Sequence, residues 1–217
     1  MDAKHRSTTG IDLGLFKRYA ASELVLEKGA PIFFRGDRAH FFHILRTGRV
    51  KMVRMNEEGK EFVQGYFAPG QSFGEPPFFI DEDYPATAVA VEPSVVLRMQ
   101  RNDYARLVAE HPEVERRLIA VLSRRLFYKA TMLGEIATGE ATHRLGTLIG
   151  YLASQEPEID EDGPEIFVVP YTRQQLADMT GLRVETVIRG IKKLEEQGIL
   201  AIERGKIAWD RTNEKKR

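Results

Sequence analysis

Four side chains near the C-terminus have the types and spacing needed to read base edges in DNA. Glu185, Ile188, Arg189 and Lys192 follow the spacing i, i+3, i+4, i+7, which places them on one face of a helix. A glutamate accepts a hydrogen bond from cytosine N4, and an arginine binds guanine O6 and N7 with two hydrogen bonds. Between positions 183 and 193, four basic side chains stand against one acidic side chain, which suits phosphate contact. The pattern predicts a helix that enters a groove of double-stranded DNA.

Two helices joined by a glycine turn are expected to hold these side chains. Thr172 followed by Gln175 is typical of a capping box and predicts the start of the first helix. Gly181 stands where a tight turn needs a positive φ, which glycine adopts without strain. The second helix is predicted from about Val184 to Gln197, with Gly198 as its stop. The residues expected on its buried side are Val187, Ile191 and Leu194.

Short strand-like runs flank the helix pair. Ile199–Glu203 and Lys206–Trp209 are joined by Arg204-Gly205, which is a two-residue hairpin signal, and Ile166–Val169 predicts a third strand. Two helices followed by a hairpin with a basic tip indicate a winged helix-turn-helix. The alternative is an ordinary helical hairpin with a solvated charged face, and the flanking strands favour the first interpretation.

Composition limits the other possibilities. The chain has 217 residues, no net formal charge and no cysteine. The lack of cysteine excludes disulfides, thiolate metal sites and cysteine nucleophiles. The five histidines are scattered without metal-ligand spacing, so no metal and no cofactor are expected. The polar N-terminus and the lack of a long apolar run predict a soluble, cytoplasmic protein with no membrane partner.

The first half of the chain predicts a different architecture. From about Tyr19 to Gln100, short strand-like runs are separated by glycines, and alternation is visible in Val50–Met55 and Glu61–Phe67. Asn56–Gly59 links these two runs as a hairpin. Many short strands with glycine turns are typical of a jelly roll or barrel. The predicted fold class is therefore α+β: an N-terminal jelly-roll β-barrel, a long helix and a C-terminal winged helix-turn-helix.

A change of period after Asn102 predicts helices. A short helix is expected around Asp103–Glu110, and a long one begins near Glu113. The narrow apolar stripe of the long helix suits a parallel dimer contact, although packing on its own barrel would give a similar stripe. The residues expected at the dimer interface are Leu118, Leu122, Leu126, Leu133 and Ile136. A hinge at Thr138-Gly139 gives three expected parts, residues 1–112, 113–138 and 139–217. A helix over Ala141–Ser154 and an exposed acidic loop over Glu156–Glu165 follow.

This order of elements resembles the CRP/FNR family of bacterial transcription regulators. The most specific markers are PGQSFGE at Pro69–Glu75, His111-Pro112 before the long helix, and VETVIR at Val184–Arg189. The resemblance implies a cyclic-nucleotide-binding-like barrel, a homodimer, and two recognition helices on a two-fold symmetric promoter site. Two helices in successive major grooves imply half-sites about 10 bp apart, centre to centre. It also implies RNA polymerase as a partner.

The resemblance transfers a set of DNA-binding positions. Glu185 and Arg189 match the family's base-reading pair, whereas Ile188 stands where Ser or Gly is usual and Arg183 where Ser or Thr is usual. Ile188 suits either contact with a thymine methyl group or the blocking of a polar contact, and Arg183 suits contact with a phosphate. The full expected set is Thr172, Arg173, Gln174, Arg183, Val184, Glu185, Thr186, Ile188, Arg189 and Lys192.

The effector pocket that the family places in the barrel looks degenerate. Pro85 and Ala86 stand where cyclic-AMP-binding members carry Arg followed by Ser or Thr, and Pro76 and Pro77 have no N–H to donate to a phosphate. A buried phosphate without partners would cost several kcal/mol or more. We therefore expect weak or no binding of cyclic AMP. The expected pocket positions are Gly74, Glu75, Pro85, Ala86, Thr87 and Lys129.

Three hypotheses follow. The leading one is a homodimeric transcription regulator that binds DNA independently of cyclic AMP. The alternative is a ligand-responsive regulator whose barrel binds a cyclic nucleotide or another small anion, with Lys129 or Arg98 supplying the positive charge. The third is an enzyme or a non-DNA interaction module, for which the sequence offers no P-loop and no nucleophile beside a base.

Overall fold

The computed structural model describes residues 12–19, 22–57, 59, 61–139, 141–155 and 166–210. The chain divides into two compact units, Met1–Leu122 and Ser123–Arg217. The boundary falls inside the long helix, whereas the sequence suggested three parts with that helix as the middle one. The predicted acidic loop Glu156–Glu165 and the N-terminal segment lie outside the described residues. In the part of the chain that is described, no helix is both long and apolar enough to span a membrane.

The first unit combines antiparallel strands with four helices, the last of which runs on into the second unit. Its elements are α1 (Leu13–Arg18), β1 (Ser22–Leu26), β2 (Pro31–Phe33), β3 (Phe41–Thr47), β4 (Val50–Met55), β5 (Glu61–Phe67), β6 (Ser72–Phe73), α2 (Glu75–Ile80), β7 (Thr87–Ala90), β8 (Ser94–Gln100), α3 (Arg101–Glu110) and α4 (Pro112–Thr138). The strands form two four-stranded sheets, in the orders β1-β8-β3-β6 and β2-β7-β4-β5. This is the predicted β-roll, and the β4–β5 hairpin has the predicted bounds.

The apolar run of β3 shows why both faces of its sheet are covered. Phe42 packs against Phe16 of α1 and Tyr104 of α3, so one face lies under helices. His43 points the other way and contacts Phe33 of β2, which belongs to the second sheet. Because successive side chains alternate across a strand, a nearly continuous apolar run is needed when helices cover one face and a sheet covers the other.

The second unit contains the predicted winged helix-turn-helix. Its elements after α4 are α5 (Ala141–Ser154), β9 (Ile166–Val168), α6 (Arg173–Thr180), α7 (Val184–Glu196), β10 (Leu200–Glu203) and β11 (Lys206–Asp210). The three strands form an antiparallel sheet in the order β10-β11-β9. Leu200, Phe167 and Trp209 are buried at paired positions on one face of this sheet. Gly139, with φ of 83°, separates α4 from α5 at the predicted hinge.

Candidate nucleic-acid interface

The start and the end of α6 are fixed by the two local signals that the sequence contains. The Thr172 hydroxyl accepts from the Gln175 backbone N–H at 3.2 Å, and the Thr172 N–H donates to Gln175 Oε1 at 2.9 Å. This reciprocal pair is the predicted capping box. Gly181 ends the helix with φ of 70°, as predicted. The turn between the two helices is therefore set by side-chain and backbone chemistry close in sequence.

Helix α7 presents the predicted face to solvent. Glu185, Ile188, Arg189 and Lys192 are all exposed, and Ile188 retains 53% of its accessible surface. The residues buried on the opposite side are Val187, Gly190, Ile191 and Leu194. The arrangement offers a hydrogen-bond acceptor, an apolar group and a bidentate donor along one side of the helix.

The first turn of α7 is held by backbone rather than by a side-chain cap. Arg183 occupies the N-cap position with φ of −80° and ψ of 148°, and its side chain makes no capping hydrogen bond. The N–H groups of Thr186 and Val187 each donate to the Arg183 carbonyl at 3.0 Å. Arg183 is exposed, as are Glu185, Ile188 and Arg189 after it. It is placed where a phosphate contact is expected, while Val184 and Thr186 are half-buried.

Close packing on α5 fixes the position of α7. A Cβ atom added at Gly190 would lie 2.5 Å from Leu145 Cδ1, and Leu145 is fully buried. Only glycine lets the two helices approach this closely. Arg144, the neighbour of Leu145, donates from Nη1 to the Thr180 carbonyl at 3.4 Å and so connects α5 to the end of α6.

Two residues of α6 that we expected to contact DNA also bind within the protein. Gln174 Nε2 donates to Asp178 Oδ1 at 2.7 Å. Arg173 Nη1 donates to the Gly205 carbonyl at 2.8 Å, at the tip of the β10–β11 hairpin. The second contact joins residues far apart in sequence, and no local signal could have predicted it.

Comparison with known proteins agrees with both units. The protein-family model described as Cyclic nucleotide-binding domain matches residues 23–111. The family model described as Crp-like helix-turn-helix domain matches residues 143–211. A protein of Thermus thermophilus named Cyclic AMP receptor protein is 31% identical over 180 residues, which are 83% of this chain and 80% of that protein. The chain belongs to the CRP/FNR family.

Other CRP/FNR proteins match over similar lengths. The cAMP-activated global transcriptional regulator CRP of Pasteurella multocida is 28% identical over 79% of this chain and 82% of its own length. The crystal structure of the Thermus thermophilus Catabolite Activator Protein aligns with a TM-score of 0.55 and 26% identity, covering 94% of each chain. A mutant of CooA from Carboxydothermus hydrogenoformans aligns with a TM-score of 0.72 at 18% identity, covering 97% of this chain and 93% of that one, and shows the shared fold alone. The protein is thus a CRP-like transcription regulator with a helix-turn-helix DNA-binding domain.

The barrel positions expected to meet an effector differ in exposure. Pro85 is exposed and the next residue, Ala86, is fully buried in the core, so only Ala86 faces the barrel interior. The expectation that Pro85 and Ala86 line a pocket stays a prediction. The Thr87 hydroxyl accepts from the Arg35 backbone N–H at 3.1 Å. Neither Pro85 nor Ala86 offers a charge or a hydrogen-bond donor from its side chain.

The other pocket positions lie against packed aromatic rings. Gly74 has φ of 70°, and a Cβ atom there would lie 2.9 Å from the Phe33 ring. Glu75 is buried at the start of α2, where two prolines follow it. The Phe33 and Tyr84 rings stack with centroids 3.6 Å apart, and burial together with the Asp37 and Glu75 carboxylates raises the pKa of Tyr84. These rings occupy the interior next to Gly74 and Glu75.

A buried imidazole completes the aromatic interior. His43 is 3% exposed, and its ring lies 5.4 Å from those of both Phe33 and Phe73, centroid to centroid. Burial, and to a lesser degree the positive charge of Arg98, lowers the pKa of His43 to about 3. His43 Nδ1 has no hydrogen-bond partner within the described residues. The imidazole is therefore neutral at pH 7 and behaves as part of the core.

The two cations considered as phosphate partners are placed differently. Arg98 Nε donates to the Ser22 hydroxyl at 3.1 Å, and its guanidinium lies 4.8 Å above the centre of the Phe41 ring. Lys129 is exposed on α4 and belongs to the second unit. Across residues 12–210, outside the gaps given above, no three His, Asp or Glu side chains are grouped closely enough to hold a metal ion.

The long helix has two different apolar sides. Leu118 is 2% exposed and belongs to the core of the first unit, so its predicted place at a dimer interface is wrong. Leu122 is half-buried against the same core. Leu126 and Leu133 retain 69% and 68% of their surface, and Ile136 is also exposed. Ile119, which the sequence reasoning missed, is exposed seven residues before Leu126.

Proposed function

We propose that the protein is a homodimer that binds a two-fold symmetric promoter site in a sequence-specific manner and without cyclic AMP. The observation that carries this proposal is the exposed Glu185–Ile188–Arg189 face on a helix whose other side is locked onto α5 at Gly190. Base recognition requires a helix that is held in place by packing and that exposes both hydrogen-bonding and apolar side chains. These side chains must meet the base edges in a fixed register.

Each exposed residue of α7 has a distinct role in this proposal. Glu185 accepts from a cytosine N4 amino group, and Arg189 binds a guanine through O6 and N7. Ile188 packs on a thymine methyl group. Arg183 and Lys192 bind backbone phosphates, which position the helix without reading sequence.

The exposed side of α4 supports the homodimer. Ile119, Leu126 and Leu133 are spaced seven residues apart, and Leu122 and Ile136 occupy positions three residues after the first and the last of them. This is the a/d pattern of a parallel coiled coil. Exposed leucines along one line of a long helix bury their surface when a second copy pairs with it. Two-fold pairing of α4 would give two recognition helices on half-sites about 10 bp apart.

Three features of the barrel support independence from cyclic AMP. The side chains of Pro85 and Ala86 offer neither a charge nor a hydrogen-bond donor to the nucleotide phosphate. The prolines after Glu75 remove two backbone donors from the first turn of α2. The stacked rings of Phe33 and Tyr84 fill the interior beside that turn. The relatives named for cyclic AMP make the nucleotide the obvious ligand to test, and we expect it to bind weakly or not at all.

The test selects genomic DNA fragments on the purified full chain, with and without cyclic AMP, and then measures affinity for the enriched site. We expect one two-fold symmetric motif in both selections. The double variant Glu185→Gln/Arg189→Gln should lose about 100-fold or more in affinity, since each good base contact contributes about 1–3 kcal/mol. The matched control is Glu27→Gln/Lys28→Gln, which removes one exposed acidic and one exposed basic charge from the first unit and should bind within about twofold of the original protein.

Each part of the proposal can fail separately. An absence of any enriched motif would refute sequence-specific binding. A motif without two-fold symmetry would refute the homodimer on DNA. A motif that appears only with cyclic AMP, together with micromolar binding by calorimetry, would refute nucleotide independence. As a transcription regulator, the bound protein is also expected to recruit or block RNA polymerase, which transcription in vitro from the selected promoter measures.

A further inference from the structure

Arg173 has a partner that its predicted role does not explain. It is the first residue of α6, it is half-buried, and its guanidinium donates to the Gly205 carbonyl at 2.8 Å. A hydrogen bond from a charged donor is stronger than one between neutral groups. The guanidinium has five N–H donors, so this bond occupies only part of its capacity. The side chain thus links the start of the helix-turn-helix to the tip of the wing, the name used below for the β10–β11 hairpin.

The wing tip is a tight turn with two basic side chains. Glu203 pairs with Lys206, so Arg204 and Gly205 alone form the connection. Arg204 has φ of 49° and Gly205 has φ of 78°, the left-handed pair of a type I′ turn. An arginine adopts this conformation less readily than glycine or asparagine. Arg204 and Lys206 are both exposed. A tip of this kind has little packing of its own, and an outside contact limits its motion.

We propose that Arg173 is a positioning residue for the wing. By holding the Gly205 carbonyl, it orients the tip so that Arg204 and Lys206 contact backbone phosphates beside the groove that α7 reads. This inference rests on the proposed function, because it assigns a second DNA contact to the same domain. It differs from the expectation taken from the sequence, in which Arg173 contacts DNA by itself.

The electrostatic arrangement favours this assignment. Arg173 connects to a tip that adds two further cations; nearby like charges repel one another, and an anion close to them offsets this repulsion. DNA phosphates supply that anion, and phosphate contacts fix the register of a protein on the duplex. The wing then anchors the domain at a second point, away from the base-reading residues.

A thermodynamic cycle separates positioning from direct contact. The variants are Arg173→Met, the wing-neutral variant Arg204→Gln/Lys206→Gln, and the combination of all three. Independent contacts give additive losses of binding free energy. In contrast, substituting a residue that acts through the wing has no further effect on binding once the wing charges are gone. We expect Arg173→Met alone to weaken binding to the selected site about tenfold, equivalent to one hydrogen bond to a charged group. In the wing-neutral background we expect a change of less than about twofold.

Lys192→Met is the matched control for this cycle. It removes one exposed cation from α7 that has no role in holding the wing, so its loss should be the same in both backgrounds. Hydrogen exchange adds a readout that needs no DNA: the amides of Arg204 and Gly205 should exchange faster in Arg173→Met. Fluorescence of Trp209, the single tryptophan, checks that the domain stays folded. If Arg173→Met unfolds, Arg173→Gln replaces it in the same cycle.

The outcomes distinguish the inference from the proposed function. An equal loss from Arg173→Met in both backgrounds would show a direct DNA contact and overturn the inference. No loss in either background would overturn it as well. If the unmodified protein selects no DNA motif, the proposed function itself fails. If the unmodified protein binds a specific motif but the variants lose binding free energy additively, only the positioning role of Arg173 is refuted.

Discussion

Mild acid should destabilise the barrel through one buried imidazole. His43 lies between the two sheets among aromatic rings, where burial and the charge of Arg98 lower its pKa to about 3. In the unfolded chain the same imidazole has a pKa of about 6.5. As the pH falls, the unfolded state therefore binds the proton first, and proton binding draws the equilibrium toward unfolding. Stability is lost below about pH 6.5, and the loss levels off near the folded pKa.

The size of the effect follows from the two pKa values. Each pH unit between them is worth about 1.36 kcal/mol, so His43 should remove about 2 kcal/mol of unfolding free energy between pH 7 and pH 5. The loss approaches about 5 kcal/mol near pH 3 if the barrel still folds there. Against a typical stability of about 5–15 kcal/mol, the first figure is large enough to measure by denaturant titration.

The assay compares urea unfolding at pH 7 and pH 5 for the protein and for His43→Leu. Circular dichroism reports the unfolding of both units, whereas Trp209 fluorescence reports the DNA-binding unit alone. A transition seen only by circular dichroism therefore belongs to the first unit. His43→Leu removes the titrating group and should lower the pH-dependent loss by about 2 kcal/mol, whatever it does to stability at pH 7. His40→Gln, which removes an exposed imidazole, is the control and should keep the full loss. An equal pH dependence in the protein and His43→Leu would refute the argument.

Three further predictions concern the DNA-binding unit and the long helix. Replacing Ile188 by Ser should relax the preference at one base pair of each half-site by about 1 kcal/mol, measured by selection on randomised half-sites, and unchanged selection would remove its role as a thymine reader. Gly190→Ala should destabilise the domain by about 1–3 kcal/mol because of the 2.5 Å approach to Leu145, whereas Gly134→Ala, with open space around it, should stabilise α4 by about 0.5–1 kcal/mol. Equal effects of the two glycine changes in denaturant unfolding would contradict this close packing. Lys129 lies seven residues after Leu122 and seven before Ile136, so it takes the d position between them in the proposed coiled-coil seam of α4. Lys129→Leu should tighten the dimer by about tenfold in sedimentation equilibrium, because parallel dimers favour leucine at d positions, and a weaker dimer would show that Lys129 lies outside this seam.

The helix-turn-helix could be predicted almost residue by residue because its signals are local. The capping box needs only Thr172 and Gln175, and the turn needs only a residue that tolerates positive φ at Gly181. The amphipathic pattern of α7 then separates the buried side from the exposed side. Observed and predicted ends of α7 differ by one residue, since Gln197 is the C-cap. Interactions between residues close in sequence therefore determine most of the structure of this segment.

The exposed apolar side of α4 could be predicted only in part because the helix meets two environments. Val114 and Leu118 pack into the core of the first unit, and a stripe read at a spacing of four residues follows that side. The exposed residues Ile119, Leu126 and Leu133 repeat every seven residues instead. At about 100° per residue, each step of four residues moves the stripe about 40° around the helix, whereas each step of seven moves it about 20° the other way. The two stripes therefore separate along the helix. Testing both periods would have identified Ile119.

Contacts between distant positions could not be predicted from the sequence. The stack of Phe33 on Tyr84 depends on how the end of β2 meets the segment before β7. The bond from Arg173 to Gly205 depends on the docking of the wing on α6. In both cases the residue types were visible, but neither periodicity nor spacing brings the partners together. The same holds for Pro85, whose exposure is set by the path of the chain before β7.

Under the proposed function the barrel takes no cyclic AMP, and this changes how the regulator can be controlled. A ligand shifts a conformational equilibrium only by its difference in affinity for the two states, so without a ligand the DNA-competent fraction is a fixed property of the sequence. Control then passes to the amount of protein. A charged residue such as Lys129 in an otherwise apolar seam weakens pairing, and a weak dimer makes DNA occupancy depend on the square of the monomer concentration. Under the proposed function, Lys129 rather than the nucleotide pocket would therefore set the response of the regulator. It would do so by making promoter occupancy rise steeply with protein concentration.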